Sequence, residues 1–371
     1  MAWFLGIVAV IAMGIGVFMN STHFGKHPRG ERLEKIKLSE NYRDGEFHNR
    51  IPVKQPIDDQ PFILSMWEFL TIKTEHLTPE SPLPVVQTNL HTLSPDEDVM
   101  IWFGHSSLFL QTDSKRFLVD PVFVSASPVA GFNRAFKMSY TYKPEDFPAI
   151  DYLIVTHEHW DHLDYYTIQA LKDRVGHIIC PLGVGSHFEH WGIPASKITE
   201  LDWFDSTDVA SPVQITAWPA RHFSGRGLRR NKTLWAGYVL ETKNSGNIYI
   251  SGDTGYDIHF TQLKEKFDTI DWAILENGQF NEKWKEIHIM PDDLVKAIEE
   301  FQPKNMITVH HSKYALARHP WYYPLEKMEE LTANKSLELL TPKMGEKIHL
   351  KDSVHNFQPW WKEYMQESIT Q

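Results

Sequence analysis

The chain has 371 residues, long enough for one large domain with extensions or for two small ones. Its 37 Lys and Arg stand against 48 Asp and Glu, a net charge of −11 with no long basic block, which points away from nucleic acid as a partner. The lone Cys180 excludes an internal disulfide framework, and behind His177-Ile178-Ile179 it reads as a buried structural thiol.

Residues 1–19 carry no charged or strongly polar side chain, and as a helix would span about 28 Å. That approaches the ~30 Å of a bilayer core, so a retained transmembrane anchor is predicted. A cleavable signal fits less well, because no Lys or Arg precedes the apolar run and no small-x-small site ends it. Lys26, Arg29, Arg32, Lys35 and Lys37 follow, which puts the body of the protein on the cytoplasmic side by the positive-inside rule. Residues 20–95 form a Pro- and charge-rich extension with a predicted amphipathic helix over 62–72. Within it, Thr78-Pro79-Glu80-Ser81-Pro82-Leu83-Pro84 reads as extended chain.

From Val99 onward strands dominate. Residues 100–111 alternate as a half-buried strand, and 116–119 pair with them as a hairpin across Asp113-Ser114. Further strands are predicted at 152–155, 178–180, 214–218, 235–240, 248–250, 272–275 and 306–309. Helical patterns interleave at 165–174, 258–266, 292–301 and 325–331, with Pro291 marking one helix start. This pattern implies an α/β (α+β) domain of two packed sheets covered by helices, over about 96–350, with a tail at 351–371.

One strand exit concentrates the chemistry. After Tyr152-Leu153-Ile154-Val155 comes Thr156-His157-Glu158-His159-Trp160-Asp161-His162, three imidazoles and a carboxylate on one loop. These side chains hold borderline-hard divalent metals. Four ligands so close do not easily reach one tetrahedral ion, but they can divide between two, His157 and His159 on one, Asp161 and His162 on the other. Further ligand types end other apolar strands: His222 after Ile215-Thr216-Ala217-Trp218, Asp253 after Ile248-Tyr249-Ile250, and His310 and His311 after Met306-Ile307-Thr308-Val309. A lone histidine at a strand end is usually structural; the repetition carries the signal.

The order of these residues resembles the metallo-β-lactamase superfamily of binuclear metallohydrolases. The resemblance covers about residues 99–350 and implies a four-layer αββα sandwich. Carried over, His157, His159 and His222 would bind a first metal, Asp161, His162 and His310 a second, and Asp253 would bridge them. His310 is preferred to His311 because Ile307-Thr308-Val309-His310 fits the family's final strand-plus-His pattern. Trp102-Phe103-Gly104-His105-Ser106-Ser107, Val119-Asp120-Pro121-Val122-Phe123, Asn231-Lys232-Thr233-Leu234-Trp235 and Tyr314-Ala315-Leu316-Ala317 look like one branch of it. That branch contains the N-acylphosphatidylethanolamine-hydrolysing phospholipase D and its bacterial relatives.

Such a site implies two Zn2+, with Mn2+ or Fe2+ compatible with the same donors. Two ions ~3.5–4 Å apart can share a water, lower its pKa and polarise a phosphoryl oxygen, so that a bridging hydroxide attacks phosphorus. Asp161 and Asp253 would serve this chemistry as well as hold metal, and His105 and His288 are the candidates for contact with the leaving group and the substrate phosphate. Asp120 is a candidate to orient a ligand imidazole. Arg226, Arg229, Arg230 and Lys232 follow His222 as a basic group suited to an anionic headgroup, though solvated loop charges are the plainer reading. His187 and His190 read as ordinary surface or core histidines, and Trp360-Trp361 as packing residues. The leading expectation is a membrane-anchored phosphodiesterase acting on an N-acylphosphatidylethanolamine-like lipid. A lactonase or other ester hydrolase acting on a small polar substrate is the alternative, and a membrane-tethered, non-catalytic binding protein the third.

Overall fold

The computed structural model describes residues 2–54, 64, 71, 73–129, 131–210, 212–335 and 339–370. A short antiparallel pair, β1 (Tyr42–Arg43) and β2 (Glu46–Phe47), precedes the main sheets. The first sheet begins with β3 (Val99–Trp102), β4 (Leu108–Thr112), β5 (Lys115–Val119), β6 (Ile150–Ile154), β7 (Val175–Pro181) and β8 (Ile198–Leu201). The second comprises β9 (Ser206–Ala210), β10 (Val213–Trp218), β11 (Gly237–Glu241), β12 (Asn247–Ile250), β13 (Trp272–Glu276), β14 (Asn305–Val309) and β15 (Leu339–Leu340). The chain then returns as β16 (Lys347–His349) beside β3, giving orders β16-β3-β4-β5-β6-β7-β8 and β15-β14-β13-β12-β11-β10-β9. Both sheets are mixed: β5 to β8 and β12 to β15 run parallel, the rest antiparallel.

Helices are α1 (Ala2–Met19), α2 (Gly30–Ile36), α3 (Tyr165–Leu171), α4 (Gly185–His190), α5 (His259–Lys266), α6 (Pro291–Phe301), α7 (Tyr323–Thr332) and α8 (Trp361–Thr370). Period-two side-chain alternation explains the layering. On β3, Met100 and Trp102 join the core between the sheets while Val99 and Ile101 face outward, beneath α3 and α4. On β12 and β13, Ile248, Ile250, Trp272 and Ile274 face inward, while Tyr249, Ala273 and Leu275 pack with residues of α5 and α6. The result is helix, sheet, sheet, helix, as the resemblance implies.

Residues 100–111 are two strands rather than one half-buried strand, and both faces are apolar. Gly104 and His105, at φ 82° and 52°, break the run. The hairpin turn stands where expected, with Asp113 and Ser114 both at positive φ, as its twist requires. Strands β1, β2, β8, β9, β15 and β16 and helices α2 and α8 had no counterpart in the sequence patterns, being short, exposed in part or irregularly patterned. The helix predicted over 62–72 lies almost wholly outside the described residues.

The transmembrane anchor predicted over residues 1–19 is corrected. The 18 residues of α1 carry large exposed side chains, Trp3 at 89% among them. Yet no helix among the described residues is long and apolar enough to cross a membrane. Trp360 and Trp361 are buried in the inter-sheet core, and Cys180 is fully buried.

Candidate metal centre

The ends of β5, β6, β10, β12, β13 and β14 meet along one edge of the sandwich, and the loops leaving them carry the predicted site. Asp120, just past β5, accepts from Thr156 N at 2.8 Å and Thr156 Oγ1 at 2.6 Å, and lies 2.8 Å from His162 Nδ1. It thereby ties the loop of residues 156–162 to the neighbouring strand and fixes which nitrogen His162 turns to the site, as expected of it.

Three overlapping groups of donors result, the third made of Asp253, Glu276, His288 and His310. In the first, His157, His159, His222 and Asp253 each present an atom within 4.8 Å of the others. His157 Nε2 is 2.8 Å from His159 Nδ1, and His222 Nε2 is 3.1 Å from the same atom. His222 donates its other nitrogen, Nδ1, to Ile287 O at 2.9 Å. In the second group stand His105, Asp161, His162 and His310. Asp253 Oδ2 reaches across, 3.2 Å from both His162 Nε2 and His310 Nε2 and 3.7 Å from both His157 Nε2 and His222 Nε2. His310 is held at φ 70°, and its Nδ1 lies 3.2 Å from Gly278 O. His311 turns away, to Thr308 and Ser312.

The donor set fits a metal. Converging imidazole nitrogens repel unless a cation or proton lies between them. His162 Nε2, His310 Nε2 and Asp253 Oδ1 are buried with no hydrogen-bond partner, each a cost of about 1–3 kcal/mol that coordination would relieve. Burial drives the His157 and His222 rings well below the ordinary histidine range. Burial also opposes charge on His162, but Asp253, Asp161 and Asp120 outweigh it and lift that ring to about 10. His162 and His310 overcome burial at Asp161 and Asp253, with His105 also acting on Asp161, and hold both carboxyls well below their usual range.

The remaining predicted residues separate. His105 is fully buried, its Nε2 2.9 Å from Asp161 Oδ2 and its ring 4.2 Å from that of His310. It positions Asp161 from within the core. His288 does face open space: with Asp161, Asp253 and His310 it lines a cleft of about 420 Å3. Its ring stacks on His310 at 5.3 Å and its Nδ1 pairs with Glu276.

Arg226 is corrected as a cation for substrate. It is buried, donating to Glu158 O at 2.8 Å, Leu163 O at 2.7 Å and His23 O at 2.9 Å, with its guanidinium 3.7 Å from the Trp160 ring centre. It braces the metal loop. Lys232 is spent on Gly45 O, whereas exposed Arg230 lines the cleft beside His159 and Asp161. His187 is a core residue paired with Glu158.

Two contributors escaped the sequence reading. Glu276 ends β13, accepts from Thr254 N at 2.5 Å and approaches His310 Nδ1 at 3.4 Å. Its signal was present, because Trp272-Ala273-Ile274-Leu275-Glu276 is another apolar strand followed by a ligand-type side chain. Asn49 takes both backbone groups of His222, Nδ2 donating to its carbonyl at 2.7 Å and Oδ1 accepting from its N–H at 3.0 Å. No local pattern marks it.

Two histidine–carboxylate groups at the strand ends of an αββα sandwich, opening to a cleft, define a metal-dependent hydrolase class. A family model described as "Beta-lactamase superfamily domain" matches residues 115–311. The chain belongs to this family and is a metallohydrolase of the metallo-β-lactamase superfamily. An uncharacterized protein of Mycobacterium tuberculosis is 34% identical over 332 residues, 87% of this chain and 88% of that one. The N-acyl-phosphatidylethanolamine-hydrolyzing phospholipase D 1 of Caenorhabditis elegans is 29% identical, over 77% of this chain and 88% of its own. Igni18, a metallo hydrolase of Ignicoccus hospitalis, shares the fold with a TM-score of 0.52 at 17% identity, over 67% of this chain and 97% of its own.

Proposed function

We propose that the chain is a binuclear zinc hydrolase that cleaves a phosphodiester, in the manner of a phospholipase D acting on N-acylphosphatidylethanolamine-like lipids. The observation that carries this reading is Asp253, whose Oδ2 stands between two complete donor groups at the edge of a single cleft. Likeness to the C. elegans enzyme supports the substrate class. His157, His159 and His222 would hold one ion, Asp161, His162 and His310 the other, and Asp253 both. When bound, the ions lower the pKa of a water and neutralise charge gathering on phosphoryl oxygens.

The chain's own groups complete the reaction. Asp120 and His105 hold His162 and Asp161 in register. Glu276 occupies His288 Nδ1, which leaves Nε2 as the ring's remaining proton site on the cleft wall. Water oxygen bonds to phosphorus, the bond from phosphorus to the alcohol oxygen breaks, His288 gives that oxygen a proton, and the proton that the water gives up restores His288. The products are a phosphatidic acid and an N-acylethanolamine. The same reading puts the domain at the cytoplasmic face of a membrane, where a lipid substrate of this kind would lie.

A lactone or other small ester is the second substrate class, favoured by the polar part of the cleft wall, Asn133, Gln279 and the ligands themselves. Mass spectrometry of products separates the two. Zinc-loaded protein incubated with N-acylphosphatidylethanolamine is expected to release both products, and the Asp253→Asn variant neither. Wild type that holds zinc yet leaves the lipid intact would sink the phospholipase reading and turn the search to lactones.

A further inference from the structure

Lys313 is a buried cation that the hydrolytic site does not use. Only 6% of it is exposed. Its Nζ donates to Val122 O at 2.9 Å and to Phe103 O at 3.3 Å, which leaves one of its three N–H groups free. Among the described residues no carboxylate forms an ion pair with it. The acid that acts on it from a distance, Asp164, is engaged with Val124 N, Ser125 N and Thr167 Oγ1. A lysine is seldom buried without a counter-charge, because desolvation of an unpaired ammonium is costly. Burial pushes this one down to about 7.

The same lysine lines a partly open cavity of about 210 Å3, distinct from the cleft beside the metal groups. Aromatic rings form part of its walls, from Phe103, Phe123, Phe132 and Tyr142, with Phe103 and Tyr142 edge to face at 4.6 Å, and Ser125, Asn133 and Thr141 form a polar part. Phe123 and Tyr314 place their ring centres 5.0 Å and 5.8 Å from Nζ. Arg134 adds a second cation to the lining. Ala126 borders both this cavity and one part of the metal cleft, and Asn133 borders it and both parts, so one short loop separates the two spaces.

We propose that this cavity is a second binding site, and that it takes a carboxylate with an apolar body, the carboxylate on Lys313 and the body among the aromatic rings. An apolar body recovers its hydration cost against the rings, while the carboxylate supplies the missing counter-charge and accepts the free N–H. A neutral apolar molecule would use the rings and leave the lysine as it is. A small inorganic anion would use the lysine and leave the rings empty. The cavity has room for roughly seven groups the size of water, which suits a short acid.

Calorimetric titration of the full-length, zinc-loaded protein with hexanoate tests the site, with hexanol as the uncharged control. Wild type is expected to bind hexanoate, and Lys313→Met to bind it at least tenfold more weakly while hexanol binding is unchanged. Phe132→Ala, at a residue 67% exposed and so safe for folding, is expected to weaken hexanoate and hexanol alike. Asp253→Asn is expected to leave hexanoate binding as it is, which distinguishes this cavity from the metals. The proposal is overturned if wild type takes up no hexanoate, or if Lys313→Met or Phe132→Ala binds it as tightly as wild type. Loss of binding in Asp253→Asn overturns it too, because the acid would then sit at the metal centre.

Discussion

At the scale of single residues, two buried ionisable groups do opposite work. Asp120 spends its oxygens on Thr156 and His162 Nδ1, so that a ligand imidazole meets the site with one defined nitrogen. Exchanging it for Asn keeps the shape and puts an amide N–H where an acceptor is needed. Zinc affinity of Asp120→Asn, read by competition with a chromophoric chelator, is expected to fall about 10–100-fold. Unchanged affinity would mean that His162 is oriented by something else. Lys313 gives a prediction in pH. Its folded value of about 7 lies below the ordinary 10.5, so between those limits the unfolded chain holds a proton that the folded chain lacks. Stability contributed by the neutral amine therefore rises with pH across that window, roughly 1.4 kcal/mol per unit, and is lost as pH falls toward 7. Denaturant titrations of wild type and Lys313→Met should show the variant's advantage shrinking from pH 7 to pH 9. A constant difference would place Lys313 in water.

At the scale of elements, the site depends on how closely loops approach one another. Gly278 follows β13 and passes against the turn after β14: a Cβ there would stand 2.1 Å from His310 O. Gly278→Ala must push His310 out of line, and an expected loss of about 1–3 kcal/mol should accompany weaker zinc binding. Thermal melts with zinc titration check both together, and retention of full zinc affinity would show that the turn can yield. The loop of residues 156–162 has its own brace in Arg226, which satisfies three carbonyls and stacks on Trp160. Lysine keeps the charge but not the planar fork. Arg226→Lys is expected to cost about 1–3 kcal/mol in melts, and an unchanged melt would show that the loop does not need the fork.

At the scale of the whole molecule, the two sheets are the halves of the sandwich, the first closed by β16 from beyond the second, and the centre lies where their edges meet. Bound metal therefore ties the halves together and stabilises the native state alone. Chelation is expected to lower the melting temperature, and zinc at a thousandfold excess over its dissociation constant to return about 4 kcal/mol. Identical melts with and without zinc would remove the ions from the structural account.

Much of this was legible in sequence, for a physical reason. Ligand types at the ends of apolar strands stand on the same strand end in any register, so the loop of residues 156–162, His222 and Asp253 could be read from local pattern, while the choice of His310 over His311 needed the family resemblance. The same holds for strands buried on both faces and for the hairpin at Asp113-Ser114. What stayed hidden depends on contacts between distant segments. Asn49 serves His222 from 173 positions away, and Arg226 reaches His23 from 203. Charge on a loop looked like a surface for substrate until folding buried Arg226 and left Arg230 exposed. His105 and His288 looked alike as candidates, and only packing put the first behind Asp161 and the second on the cleft wall. The sequence by itself determined which residues could bind metal; the tertiary structure decided which groups meet substrate, because burial and hydrogen-bond partners belong to the packed chain and not to its local pattern.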